Sequence, residues 1–202
     1  MPRWSVAALV VVVMLLGGCG SSSKTASSAT QSAASASLAP YLVRAGEETG
    51  YSLEGAPTLA SSPAAWDKGE AGEAAETKRL TEEGFHAALT VHTTGSNRAG
   101  VSFVVELATP SAAQRELAAQ FKEQVAEQHP SSQFTVATIP GAQGMVASGH
   151  GKVDANVWFS EGSCLLLVGG QVPSGVDPKP AVTAGAVKVY ERTAHSNGVC
   201  TR

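Results

Sequence analysis

The chain has 202 residues, with 14 Lys and Arg against 17 Asp and Glu, 43% hydrophobic residues and three cysteines. A formal charge of −3 without a basic cluster excludes the usual nucleic-acid binder, which must concentrate Lys and Arg against phosphate. The length suits one domain with a real core.

In chain order, Arg3 precedes an unbroken apolar run of eleven residues, Val6 to Leu16, and the small pair Gly17-Gly18 leads into Cys19. This is the layout of an export signal. A helix needs about 20 apolar residues to cross about 30 Å of hydrocarbon, so the run is too short for a permanent span. The segment Leu16-Gly17-Gly18-Cys19 resembles the lipobox of bacterial lipoproteins. The resemblance implies cleavage before Cys19, a diacylglyceryl group on its thiol and, in many bacteria, palmitate or a similar acyl chain on the new amino terminus. Two or three such chains hold a protein stably on a bilayer, where one does not. The expected address is therefore the extracytoplasmic face of a cell membrane, with the lipid on Cys19 as the membrane contact.

Gly20 to Ser37 is mostly Ser and Ala, with Lys24 its only charge and no aromatic residue. It reads as a flexible tether reaching roughly 25 Å as a coil. The expected organisation is a signal peptide over 1–18, lipidated cysteine and tether over 19–38, and one extracytoplasmic domain over 39–202. Without residues 1–18, whose only charge is Arg3, 13 basic residues face 17 acidic ones, a formal charge of −4.

A short amphipathic lead-in covers Tyr41 to Tyr51 and a loop runs to Pro63. Asp67 to Glu83, rich in Ala, Glu, Lys and Arg, predicts a surface helix ending at Gly84. His86 to Thr94 and Val101 to Leu107 read as strands joined by a loop over Gly95 to Gly100. Leu89 and Val91 share one face; Val101, Phe103, Val105 and Leu107 alternate on another. Ser111 and Gln114 form a capping box for a helix to about Gln128, with Leu117, Phe121 and Val125 as its apolar stripe.

Further strands are expected at Phe134 to Ile139, Gln143 to Ser148, Lys152 to Ser160 and Cys164 to Gly169. Their short glycine-bearing separators favour antiparallel hairpins. Pro180 to Arg192 closes the chain as a helix, with Val182, Ala186 and Val189 on one side. The expected fold class is α+β: a single antiparallel sheet of about five strands with two to three helices packed on it. This layout, with Gly84-Phe85 entering the first hairpin, Pro140-Gly141-Ala142, and the strand Asn156-Val157-Trp158-Phe159, resembles uncharacterised extracytoplasmic lipoproteins of actinobacteria. More loosely it is similar to single-domain sensor and lipoprotein modules of mycobacterial envelopes. The resemblance implies a binding or interaction role.

Cys164 and Cys200 are an even pair in an exported chain, and a disulfide is the natural reading. It would close a loop of about 35 residues, worth roughly 3 to 4 kcal/mol on the chain-entropy account. The alternatives are two unpaired thiols, or a redox or metal site, which lacks Cys-x-x-Cys spacing and has only His195 near Cys200. Of the five histidines, His86, His92, His129, His150 and His195, no two show metal spacing. His86 and His92 lie about 20 Å apart on one expected strand.

Gly149-His150-Gly151-Lys152 shares only its glycines with a phosphate loop, because Val153 follows where Ser or Thr should open a helix. Ser21 with Lys24 matches a Ser-x-x-Lys pair but sits in the tether, where no oxyanion site could be held rigidly. No Gly-x-Ser-x-Gly elbow or His-Glu-x-x-His occurs. Trp158 and Phe159 must point to opposite sheet faces. One is expected in the core; the other could floor a groove for an apolar or sugar ligand, although a covering helix would bury it.

The reading is a non-enzymatic module without cofactor or metal, binding a small apolar or glycan ligand or an envelope protein. An envelope hydrolase or transferase with a site assembled from loops, or a structural assembly factor, are the alternatives.

Overall fold

The structure is a computed structural model that describes residues 24–67 and 73–201. The export signal, Cys19 and Ser21 lie outside the described residues. Helix α1 covers Lys24–Leu38 and runs into a 3₁₀ turn at Ala39–Tyr41. A polar segment, residues 42–51, then leads into strand β1 (Ser52–Ala60), followed by the single-turn helix α2 (Pro63–Trp66) and helix α3 (Glu73–Glu82). Strands β2 (Ala87–Gly95) and β3 (Arg98–Glu106), helix α4 (Pro110–Gln128) and strands β4 (Ser132–Phe134), β5 (Gln143–Gly149), β6 (Lys152–Glu161) and β7 (Cys164–Pro173) follow. Helix α5 (Lys179–Thr193) and a 3₁₀ turn at Val199–Thr201 end the described chain.

All strands form one antiparallel sheet in the order β1-β2-β3-β7-β6-β5-β4. The α+β class and the single antiparallel sheet match the reading of the sequence; among the described residues, seven strands and five helices replace about five strands and two to three helices. The strand β1 escaped notice because it is an edge strand exposed along most of its length, so it has no apolar alternation. Gly55 and Pro57 fall where its register shifts between Glu54 and Thr58, a position an edge tolerates.

At the opposite edge, β4 is three residues ending at Phe134, and residues 135–139 are turn and loop rather than the strand expected there. The segment 24–38, read as coil, is helical. Alanine favours helix, and the helix docks by its last residue, Leu38, which is fully buried. The helix expected over 67–83 is α3, with residues 68–72 outside the described set. Helix α4 is capped by Thr109, whose hydroxyl accepts from Ala112 N at 3.1 Å, rather than by Ser111. Pro110 occupies the first turn, where its missing N–H costs nothing.

The sheet is covered on both faces. On one, Leu89, Val104, Val157, Phe159, Leu166 and Val168 pack against Val182, Ala186 and Val189 of α5 and against Leu38 to Val43. On the other, Val105, Trp158, Leu165 and Leu167 pack under Leu80 of α3 and Ala113 and Leu117 of α4. Trp158 meets Phe121 edge-on at 5.6 Å, and Phe159 meets Tyr190 at 6.4 Å. Both aromatics are core, and neither floors an open groove.

The hairpins are tight. His150-Gly151, with φ of 51° and 75°, joins β5 to β6, as a two-residue turn matching strand twist requires. Cys164 and Cys200 form a disulfide, Cα to Cα 5.2 Å, and both are fully buried. It ties the carboxyl-terminal tail to the start of β7.

Candidate functional site

The segment from Leu42 to Tyr51 is a strap laid across the α5-side face of the sheet. Its sequence is half charged or glycine, so it forms no regular element; its backbone is held instead by side chains reaching in from elsewhere. Arg192 of α5 donates to Pro40 O at 2.9 Å and Leu42 O at 2.6 Å and pairs with Glu47. Val43 N donates to Ser102 Oγ of β3 at 3.2 Å. Tyr51 donates to Gln171 O of β7 at 3.4 Å, and the Arg98 guanidinium lies 5.7 Å from the Tyr51 ring centre.

Outside the strap, between it, the end of α1 and strand β1, lies an open groove of about 330 Å³. Ala36, Pro40, Leu42, Val43, Leu53 and Val91 give it apolar walls, and Arg44 is the one charged residue at it. Leu53, 40% exposed, is one of two large hydrophobics left open to solvent among the described residues. No ion pair to the Arg44 side chain is found among the described residues. The volume is at the lower end of the roughly 300–1,000 Å³ typical of small-molecule sites.

Under the strap sits Glu48, 3% exposed. Thr93 donates to its Oε2 at 3.2 Å, and its Oε1 has no partner. Burial pushes its carboxyl up to about 7, against the smaller opposing effect of the Thr93 hydrogen bond. Glycines make the room. A Cβ on Gly185 of α5 would stand 2.7 Å from Glu48 Cγ, and one on Gly170 of β7 would stand 2.7 Å from the Tyr51 hydroxyl.

A second groove, about 320 Å³, lies at the β4 edge and is lined by Phe121, Gln133, Phe134, Thr135 and Gln143. Two aromatics beside amides suit a sugar, but the Phe134 ring is already engaged. It presses on Gly144, where a Cβ would come within 2.4 Å, and Lys179 Nζ lies 4.3 Å from its centre.

A third polar cluster joins α3 to α4. Arg79 holds Glu116, fully buried, through Nε at 2.7 Å and Nη2 at 3.1 Å, and pairs with Glu123 at 2.8 Å. The pairing with Glu116 pushes the Arg79 guanidinium up. Beside it, burial first and then Asp67 and Glu116 push Glu76 up to about 7. Near the disulfide, Glu161 bonds Thr193, and burial raises its carboxyl.

The five histidines His86, His92, His129, His150 and His195 are all exposed and lie on separate parts of the surface. Neither groove is lined by a histidine, serine or carboxylate. Among the described residues no group of three or more His, Cys, Asp and Glu is placed to hold a metal. No helix among them is long and apolar enough to cross a membrane. Lys24 opens α1, while its partner in the Ser-x-x-Lys pair lies outside the described residues. Reasoning from sequence missed the groove and Glu48. The apolar run Tyr41-Leu42-Val43 and glycines inside strands β3 and β7 were the available signals, since strand glycines mark close approach by another group.

No family model matches the chain, and no curated protein does. Among solved structures, the extracellular domain of PknH from Mycobacterium tuberculosis is similar, with a TM-score of 0.46 and 12% identity over 71% of this chain and 86% of that chain.

Proposed function

We propose that the chain is a lipid-anchored envelope module, tethered through Cys19 on the extracytoplasmic face of a membrane, that binds an apolar ligand without catalysis in the α1–β1 groove. The observation that carries the ligand reading is the groove itself: open, apolar-walled, with an exposed Leu53 on one wall and Arg44 as its one charged lining residue. That combination suits an amphiphile whose hydrocarbon lies along Leu42, Leu53 and Val91 while an acid group meets Arg44. Each CH₂ removed from water is worth about 0.8 kcal/mol, so a short run of methylenes supplies useful affinity. The address is supported by the basic residue, apolar run, small pair and cysteine at positions 3–19, and by the buried disulfide, a bond suited to an oxidising compartment.

Titration of the purified full chain with N-phenyl-1-naphthylamine, a probe that brightens in apolar surroundings, tests the groove. Binding that dodecanoate displaces, and that Leu53→Glu abolishes while the fold is kept, is the expected result. No binding, or equal binding by Leu53→Glu, would sink the ligand reading.

A further inference from the structure

The strap has two sides, and they face different things. Its outer side, Leu42 to Arg44, walls the apolar groove. Its inner side carries Glu48 into the sheet face, where one carboxyl oxygen has a single hydroxyl partner and the other has none. A neutral carboxyl tolerates that setting; a carboxylate does not, because a buried charge needs a counter-charge or several donors.

The surrounding charges do not supply one. On the strap, Glu47 adds like charge and is already paired with Arg192. From α5, Arg192 is spent on Glu47 and two carbonyls, and Lys188 pairs with Glu191 at the surface. From β3, Arg98 is engaged with the Tyr51 ring and Thr49 O. Asp154 of β6 accepts from Gln171 of β7 on the opposite sheet face, beside Trp158, and as an acid offers no counter-charge either. From β2 comes Thr93 with its single hydroxyl, while His92 is exposed.

Space is set for the seated side chain as well. Gly185 lies inside α5, where glycine costs about 1 kcal/mol relative to alanine, and its missing Cβ is what clears Glu48. The seat is built for this residue.

We infer that Glu48 is a proton-controlled latch for the groove: protonated, it keeps the strap seated on the sheet; ionised, it draws the strap off and the groove loses its inner wall. The ligand half rests on the groove being the binding site proposed above; the latch half does not. The direction follows from linkage. An open strap lets Glu48 titrate near its ordinary 4.5, whereas the seated group holds its proton to about 7. Opening therefore rises about tenfold per pH unit between those two values and levels off above the higher one. Acidification closes the latch, and neutral pH loosens it.

Hydrogen exchange of the full chain, read by mass spectrometry at several pH values and corrected for intrinsic rates, decides it. The amides of Val43, Arg44, Glu47 and Tyr51, each bonded within or beneath the strap, are expected to lose about tenfold protection per unit from pH 5 to pH 7. Peptides from α4 on the other face should not follow. Glu48→Gln, which keeps the shape of the neutral acid, should hold the strap protected throughout. Glu47→Gln, which loses the Arg192 pair, should lower protection at every pH and keep the slope. A strap with no pH dependence, or one whose dependence survives Glu48→Gln, would overturn the latch. Naphthylamine affinity measured in parallel should fall over the same window in the wild type and stay constant in Glu48→Gln. A strap that switches while the probe binds at no pH would overturn the groove reading and leave the latch standing.

Discussion

Replacing Arg192 by Met keeps the aliphatic stem and removes the guanidinium that holds the strap. Three interactions go with it: the donations to Pro40 O and Leu42 O and the pair with Glu47. Both members of that pair are largely buried, with side chains 17% and 16% exposed. Hydrogen bonds to a charged group are worth about 1.5–3 kcal/mol each, and stranding one member of a buried pair costs more than the pair contributes. Water reaching the freed carbonyls recovers part of this, so a loss of about 3 kcal/mol is expected. For a domain of this size that is a fall of about 10 °C in Tm. Urea unfolding followed by Trp fluorescence measures it, with Arg115→Met as the contrast. Arg115 also forms an ion pair, with Glu83, but its side chain is 61% exposed, and solvent screening should make its loss far smaller than that of Arg192. Equal effects for the two variants, or a loss below about 1 kcal/mol for Arg192→Met, would refute the strap as a clamped element.

Two further predictions concern stability. Glu76 holds its proton to about 7 in the fold against 4.5 in the open chain, so its contribution is intact below the lower value and is lost as pH rises toward the higher one. Glu76→Gln, which can still accept from Gln120, should match wild type at pH 4 and exceed it at pH 8 by about 2 kcal/mol, after discounting for partial exposure; a wild-type advantage at pH 8 would contradict this. Gly185→Ala should raise the helix propensity of α5 by about 1 kcal/mol, yet the new Cβ would stand 2.7 Å from Glu48 Cγ and 3.3 Å from Val168 Cγ1. Thermal unfolding should show net destabilisation, and a stabilised variant would mean that Glu48 is not seated where the structure places it.

The parts of the fold that were legible in the sequence are those whose burial leaves a period. The β2–β3 hairpin, α4 and α5 announced themselves through Leu89 and Val91, Leu117 and Phe121, and Val182, Ala186 and Val189, because each presents one face to a core. Strand β1 has almost no buried face to record, and β4 is too short to carry any pattern. Helix α1 looks like a linker because only its final residue is buried among its described side chains.

The groove was illegible for a different reason. Its walls come from residues 36–44, 53–57 and 91, brought together by the β1–β2 pairing and the strap rather than by any local motif. Glu48 gave no hint because a glutamate in a polar stretch reads as surface; what makes room for it is the missing side chain of Gly185, far along the chain, while Gly170 clears the neighbouring Tyr51. Trp158 and Phe159 were placed correctly on opposite faces by strand alternation, but whether a helix covered each face was a tertiary fact.

Intact mass of the chain recovered from the membranes of an expressing host, compared with Cys19→Ala and read before and after reduction and alkylation, tests anchor and compartment together. Loss of residues 1–18, added acyl mass that Cys19→Ala lacks, and labelling of Cys164 and Cys200 only after reduction is the predicted result. A chain that keeps residues 1–18 without acyl mass, or whose Cys164 and Cys200 label without reduction, would contradict the proposed lipid-anchored, extracytoplasmic module.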